Sequence, residues 1–415
     1  MLTGQILLQL IIILLVAQLF GNLCRRVGQQ WVIGEILAGL ALGPSLLAGL
    51  WPGFSHIVFP ASTLPTLQTL GDIGLILYMF SLGARLDIHL MISQSRKAIF
   101  VSLSGIVLPF VIGGIIGYLL YPGLAGPKAS LGSFMLLIGT AMAITAFPVL
   151  ARLLAEKKML GTDVGMLALT CASVDDVIAW CLLAFVVAVS HASGIVSAAI
   201  TVGLTILFVA VMLLGVRPLF SYVVRRIQSR AVLIALSVLI LLSSAYITNA
   251  IGIHPVFGAF LAGVILPRNV TFIAQIRGMD QINNLLFLPL FFVFSGLRTQ
   301  IGLIHGPGLW LICLLILLAA CVGKISGGTF SARVTGETWK NAFSVGVLMN
   351  TRGLVELIVL NLGFELGVLS PTLFTMLVIM ALITTMMASP LLPLLGYRST
   401  VVSSGQEEVI EQSVL

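Results

Sequence analysis

The stretch 164-VGMLALTCASVDDVIAWCLLAFVVAVS-190 is apolar and long enough to cross a bilayer, yet Asp175 and Asp176 sit side by side near its middle. Nothing else in the run is charged. A centrally placed Asp costs about 2.5–3.5 kcal/mol on insertion scales, so such a residue is retained for a purpose and has a partner. As the two aspartates are about 100° apart around a helix, they face different neighbours. One is expected to meet a cation on another helix and the other to face a cavity.

The rest of the chain is built in the same way. Of its 415 residues 59% are hydrophobic and 8% charged, against roughly 25% charged in soluble proteins. This is the composition of an all-α polytopic membrane protein. A spanning helix needs about 20 mostly apolar residues. Thirteen stretches qualify or nearly so: 5–24, 31–50, 67–84, 98–120, 131–153, 164–190, 195–215, 231–250, 254–267, 284–299, 308–332, 342–365 and 372–396. No Lys or Arg precedes the first span, whereas Arg25 and Arg26 follow it, so it reads as a retained helix and not as a signal peptide. Residues 398–415 read as a short polar cytoplasmic tail. The cysteines at 24, 171, 181, 313 and 321 lack metal-ligand spacing and read as small packing residues.

Charge placement sets an orientation. With thirteen spans and the N-terminus outside, Arg25, Arg26, Arg85, Arg96, Lys97, Arg152, Lys157, Lys158, Arg217, Arg225, Arg226, Arg230, Arg268, Arg277, Arg333, Lys340 and Arg398 all fall on inner loops or at the inner ends of spans. Only Lys128 and Arg298 fall outside, and Lys324 and Arg352 remain within spans. That bias is the positive-inside rule, giving an outer N-terminus and a cytoplasmic C-terminus. The net charge of +7 is therefore topology, and no nucleic-acid partner is expected.

Two spans carry interruptions. In 140-TAMAITAFPVLARLL-154, Pro148 lacks an amide donor and is expected to crowd the carbonyl of Ile144. In 346-GVLMNTRGLVELIVL-360, the polar run Asn350-Thr351-Arg352-Gly353 breaks an apolar span. Each break lies in the second helix of a group of three, and the alternation gives the groups opposite orientation. Broken helices at matching places in an inverted repeat mark a transporter binding site. Lys324 is expected to be buried against a carboxylate. Arg352 and Glu356, four residues apart, are expected to pair and, with Pro148, Asn350 and Thr351, to support the crossover. A proton and a small hard cation (Na⁺, Li⁺ or K⁺) would then compete for the oxygens of Asp175 and Asp176, with Thr145, Ser173 or carbonyls at the breaks as further ligands. Exclusive occupancy of one site by either ion couples the two fluxes.

The segments 33-IGEILAGLALGPSLL-47, 140-TAMAITAFPVLARLL-154, 173-SVDDVIAW-180, 291-FFVFSGLRTQI-301 and 348-LMNTRGLVELIVLNLGFELGVLS-370 resemble, in this order, motifs of the monovalent cation:proton antiporter-2 family. The resemblance implies the sodium/proton antiporter fold and a homodimer. By domain, it implies residues 1–97 and 231–305 in a dimerisation domain, 98–190 and 306–397 in an ion-translocating core, and 191–230 as a linker helix. It implies that Asp176 is the main ion- and proton-binding carboxylate, and that Asp175 is salt-bridged to Lys324 when no ion is bound. An Asp-Asp pair with this lysine resembles electrogenic members, which move two protons per cation. Ala146 stands where some relatives carry a hydroxyl. The nucleotide-binding domain of potassium-efflux relatives does not follow the last span, so that form of regulation is not expected.

The expected function is exchange of a monovalent cation, with Na⁺ or Li⁺ favoured, for protons across a bacterial inner membrane, with no cofactor and no enzymatic activity. The alternative is a sodium-coupled carrier of an organic solute with the same fold. An intramembrane aspartyl protease fits poorly, because its aspartates would come from different helices.

Overall fold

The computed structural model describes residues 2–51, 53, 57–60, 62–85, 95–159, 162–191, 195–227, 229–267, 278 and 280–395. Arg268, Arg277, Arg398 and the expected tail lie outside the described residues. Among the described residues, the elements are helices, and the only extended pairing is one isolated bridge. In chain order the helices used below are α1 (Leu2–Arg26), α2 (Trp31–Leu42), α3 (Leu64–Arg85), α4 (Ser95–Leu124), α5 (Leu131–Ala143), α6 (Phe147–Glu156), α7 (Asp163–His191), α8 (Ile195–Ala210), α9 (Arg217–Arg226), α10 (Arg230–Ile251), α11 (Pro255–Val264), α12 (Leu288–Arg298), α13 (Gly306–Val334), α14 (Trp339–Met349), α15 (Leu354–Glu365) and α16 (Pro371–Leu394). A π-helical turn, Val211–Val216, joins α8 to α9, and another, Asn283–Phe287, leads into α12.

Among the described residues, nine helices are long and apolar enough to cross a membrane, or ten if the bent pair α14–α15 is one span. The apolar helices α2, α5 and α11 are shorter than a full crossing. Helix length therefore accounts for fewer crossings than the thirteen expected. The stretch at 131–153 is divided between α5 and α6, and those at 31–50 and 254–267 extend past the ends of α2 and α11.

Local signals set many helix ends. Ser130 and Ser133 form a reciprocal capping box that starts α5. Thr338 caps α14 and Ser370 caps α16, and Pro371 occupies the first turn of α16, where a missing amide costs nothing. Gly252, with φ of 91°, closes α10 in the left-handed conformation.

The chain divides into two compact units. The first comprises residues 1–18, 35–86 and 184–297. Within it, α3 and α11 meet through a reciprocal contact. A Cβ on Gly83 would lie 2.2 Å from the Phe260 carbonyl, and one on Gly263 would lie 2.0 Å from the Phe80 carbonyl. Small residues bring helix backbones this close in membranes, where packing rather than water drives association. Ser81 also donates to the buried Asp280 at 2.8 Å.

The second unit comprises residues 19–34, 87–183 and 298–415. Its two groups of three helices are built alike. Helix α4 packs on α5 with Gly113 against Gly139, and α13 packs on α14 with Gly328 against Gly346. Leu150, Leu153 and Leu154 of α6 join Ala98, Val101 and Val345 in its apolar core. At one end the groups are strapped together. Gly126 donates to the Val368 carbonyl at 2.8 Å and Lys128 to the Gly367 carbonyl at 3.0 Å, beside the bridge between Ala125 and Leu369. Arg298 makes an ion pair with Glu365 at 2.9 Å nearby.

Candidate functional site

The first break is three residues long: α5 ends at Ala143, Ile144 is extended, and α6 begins at Phe147. Pro148 lies in the first turn of α6, where proline fits without opposing a carbonyl one turn back. The expected clash with Ile144 is thus replaced by a helix start, because the chain has already left helical geometry at Ile144. The second break runs from Asn350 to Gly353, and α14 and α15 are bent by 41° across it.

Each break supplies what the other lacks. The Ala146 amide donates to the Thr351 carbonyl at 3.1 Å. The Thr145 hydroxyl lies 2.9 Å from the Met349 carbonyl at the end of α14. From α16, Thr385 accepts from the Arg352 amide at 3.2 Å and reaches the Arg352 carbonyl at 2.7 Å. Non-helical backbone is thereby satisfied by protein, as it must be at membrane depth.

The broken end of α5 is capped by two cations. The Arg352 guanidinium donates to the carbonyls of Ala141 at 2.6 Å and Met142 at 2.7 Å, and the Lys324 ammonium donates to Ala143. These are the last carbonyls of the helix, where orphan acceptors and the negative end of the dipole favour positive charge. Glu356 pairs with Arg352 at 3.3 Å, longer than either carbonyl contact, and lies in the first turn of α15, the opposite end of a dipole. The four-residue spacing predicts the Arg352–Glu356 pair. The capping of α5 was not legible, because it joins residues about two hundred positions apart.

Lys324 is fully buried and does not reach toward a surface. It pairs with Asp175 at 2.9 Å. Thr145 lies 2.7 Å from the same Asp175 oxygen, Oδ2, and Ser102 of α4 donates to Oδ1. Asp175 thus collects three donors from three other segments.

Asp176, 1% exposed, has no hydrogen-bond partner on either oxygen. The Phe147 amide at the start of α6 is directed toward it but falls short of hydrogen-bonding geometry. Adjacent and equally buried, the two carboxylates therefore stand in opposite electrostatic surroundings.

The structure brings together Asp175, Thr145 and Lys324 from the sequence-derived set. Ser173 is not joined to them: its hydroxyl donates to the Thr170 carbonyl of its own helix at 2.8 Å. Asn350 and Thr351 serve the second break, Thr351 donating to Leu348 at 2.8 Å and Asn350 lying 3.7 Å from the Cys321 sulfur. Ser102 was missed. In 95-SRKAIFVSLSGIVLPF-110 it is one of three serines on an apolar helix, with nothing local to distinguish it.

The chain matches the family described as sodium/hydrogen exchanger, transmembrane, over residues 11–395. It is 44% identical over 395 residues to the Na(+)/H(+) antiporter NhaS4 of Synechocystis sp., covering 93% of this chain and 96% of that one. It is 35% identical over 393 residues to Cation/H(+) antiporter 15 of Arabidopsis thaliana, covering 94% of this chain and 48% of that one. K(+)/H(+) antiporter 1 of Saccharomyces cerevisiae is 32% identical, with 93% and 46% covered. The chain thus spans about half the length of these plant and yeast relatives. Its fold is that of the sodium proton antiporter MjNhaP1 from Methanocaldococcus jannaschii at pH 8, with a TM-score of 0.68 at 14% identity over 96% of this chain and 99% of that one. With the family matched along nearly its whole length, and with a 44% identical relative of the same extent, this chain belongs to the sodium/hydrogen exchanger family.

Proposed function

We infer that this chain exchanges a monovalent cation for protons across a membrane by alternating access, with Asp176 as the exchanging carboxylate. The observation that carries the reading is the contrast between the two aspartates. Asp175 is held by Lys324, Thr145 and Ser102, while buried Asp176 has no bonded partner. A lone buried carboxylate is costly when charged, and either a proton or a bound cation relieves that cost. Occupancy by one excludes the other, and only a neutralised site crosses an apolar barrier readily.

Relatives named as Na⁺/H⁺ and K⁺/H⁺ antiporters support this ion class. Sodium or lithium is favoured over potassium, and release of Lys324 as Asp175 turns to the ion makes the exchange electrogenic. Residues 98–190 and 306–397 form the translocating core, residues 1–97 and 231–305 carry the contacts of a homodimer, and residues 191–230 are the linker helix. The N-terminus is outside and the C-terminus cytoplasmic, in a bacterial inner membrane. The protein acts as a transporter and not as an enzyme.

The test is proton flux in proteoliposomes loaded with a pH-sensitive dye. After ΔpH is imposed, Na⁺, Li⁺ and K⁺ are added separately, with Asp176→Asn alongside. Cation-triggered collapse of ΔpH in the wild type, lost in the variant, is expected. No response to any of the three from pH 6 to 9 would sink the exchanger and favour a carrier of an organic solute.

A further inference from the structure

We propose that the second repeat holds a site for a soft monovalent cation, Cu⁺, between the Cys321 thiol of α13 and the Met387 thioether of α16, and that filling it arrests exchange. The arrest rests on the exchange reading above; the site itself does not. Among the described residues, no three His, Cys, Asp or Glu side chains gather in a way that could hold a metal. A metal held by them must use other ligands, and sulfur is at hand. Cys321 Sγ and Met387 Sδ lie 4.0 Å apart although 66 residues separate them, so no spacing in the sequence announces the pair. With metal–sulfur bonds of about 2.3 Å, as in zinc thiolates, two sulfurs at that distance subtend about 120° at a metal between them. That is the angle of a three-coordinate site, and a thiolate with a thioether is a donor set suited to Cu⁺.

The third position has an occupant. Asn350, at the end of α14 and 2% exposed, sets its carboxamide against the thiol, with Nδ2 3.7 Å from Sγ. Its Oδ1 has no hydrogen-bond partner, whereas buried polar atoms are nearly always satisfied. The two ends of a carboxamide are alike in shape. Turning the group over puts Oδ1 beside the sulfur, where a cation supplies the partner it lacks. The thiol now donates to Met387 Sδ, so a proton lies where the metal would sit. Cys–S–H and Cu⁺ give Cys–S–Cu and a proton released to water, with no change of oxidation state.

Charge selects the metal. Exchanging H⁺ for Cu⁺ leaves the net charge of the site unchanged. A divalent ion would add a positive charge beside Lys324, one turn along α13, and Arg352, which acts on Cys321 electrostatically. Uncompensated charge at membrane depth is expensive, so Zn²⁺ is disfavoured. Met387 is half-buried, which gives an ion a side from which to enter. Once bound, the metal joins α13 one turn from Lys324, the second break at Asn350, and α16 two residues beyond Thr385, which holds the Arg352 main chain. Tied to one ion, these segments cannot shift past one another as Lys324 leaves Asp175.

The test compares wild type, Cys321→Ser, Met387→Leu and, as a control on the same helix, Cys313→Ser. Cu⁺ is supplied in oxygen-free buffer with a reductant, and binding to detergent-solubilised protein is read by competition with the chromophoric Cu⁺ chelator bicinchoninate. Wild type and Cys313→Ser should bind one Cu⁺ that equimolar Zn²⁺ does not displace. Met387→Leu should bind at least about ten-fold more weakly, and Cys321→Ser should not compete with the chelator. Both substitutions nearly conserve volume, so both variants should fold and keep their flux without copper. In proteoliposomes, the Cu⁺ concentration that halves Na⁺-driven proton flux in wild type should leave both unaffected.

Binding that survives Cys321→Ser, or is indifferent to Met387→Leu, overturns the paired site, and displacement by equimolar Zn²⁺ overturns its preference for a monovalent ion. Binding of one Cu⁺ with flux unchanged overturns the arrest. If Cys321→Ser fails to fold, the affinity of Met387→Leu decides alone. Wild type that exchanges no cation even without copper removes the exchange reading, and the chelator competition still judges the site.

Discussion

The amide of Ala146 donates to the carbonyl of Thr351 at 3.1 Å, so the two interrupted helices share a main-chain hydrogen bond where each is broken. Ala146→Pro removes that donor and leaves a buried carbonyl unpaired, at a cost of about 1–3 kcal/mol. Ala146→Ser keeps the amide. Thermal unfolding in detergent should show a lower midpoint for the proline variant and a near-wild-type one for serine.

Neutralising the two aspartates should have opposite effects on stability. Asp175→Asn leaves Lys324 buried without its counter-charge, which costs about 3–5 kcal/mol. Asp176→Asn replaces a carboxylate that has no bonded partner, so stability is kept or raised while exchange is lost. Denaturation midpoints measured beside proteoliposome flux check both. Equal destabilisation by the two variants would contradict the asymmetry.

Arg352→Lys retains the charge but not the fork. A single ammonium is poorly suited to hold the Ala141 and Met142 carbonyls and Glu356 together, so a loss of about 1–3 kcal/mol is expected. Replacing Glu356 by Gln should cost less, because Arg352 keeps its two shorter bonds to carbonyls. A double-mutant cycle on the unfolding free energy separates the two contributions.

In the first unit, Gly83→Leu and Gly263→Leu should each push α3 from α11, since a Cβ alone already meets a carbonyl at 2.2 or 2.0 Å. The expected cost is about 1–3 kcal/mol or more. It should be read out as a smaller yield of monodisperse protein, with Gly83→Ala milder than Gly83→Leu. Gly114→Ala, where nothing lies within 4 Å, is the control.

What the sequence discloses about this site follows from cost. Asp175, Asp176, Lys324, Arg352 and Glu356 are conspicuous because charge is expensive inside a membrane, and Asn350 to Gly353 because polar, flexible residues interrupt an apolar helix. Arg352 and Glu356 are four residues apart, so a helical reading of that stretch foresees their contact even though Arg352 lies in the break. Lys324 and Asp175 are far apart in the chain, and only charge complementarity joins them in advance. Inexpensive groups give no such signal. Ser102 looks like any serine in an apolar helix, and Ser173 near the aspartates looks like a ligand until its hydroxyl is seen to donate to the Thr170 carbonyl. Backbone acceptors are silent too, so the carbonyls of Ala141, Met142 and Ala143 announce nothing until the fold brings cations to them. The early end of α2 was hidden because hydropathy measures an apolar run and not where its hydrogen bonds stop.

The capping of α5 also constrains how the protein is made. The three carbonyls at its end wait for side chains 181, 210 and 211 residues away, all supplied by the second repeat. A nascent chain that has delivered only its first seven helices to the bilayer holds a half-helix with a bare negative end and an Asp175 without its ammonium. That intermediate cannot finish folding, and it must be sheltered by the insertion machinery or by lipid headgroups until α13 and the second break arrive. Truncation between the repeats should therefore yield a chain that is degraded, while co-expression of the two halves as separate polypeptides should rescue it.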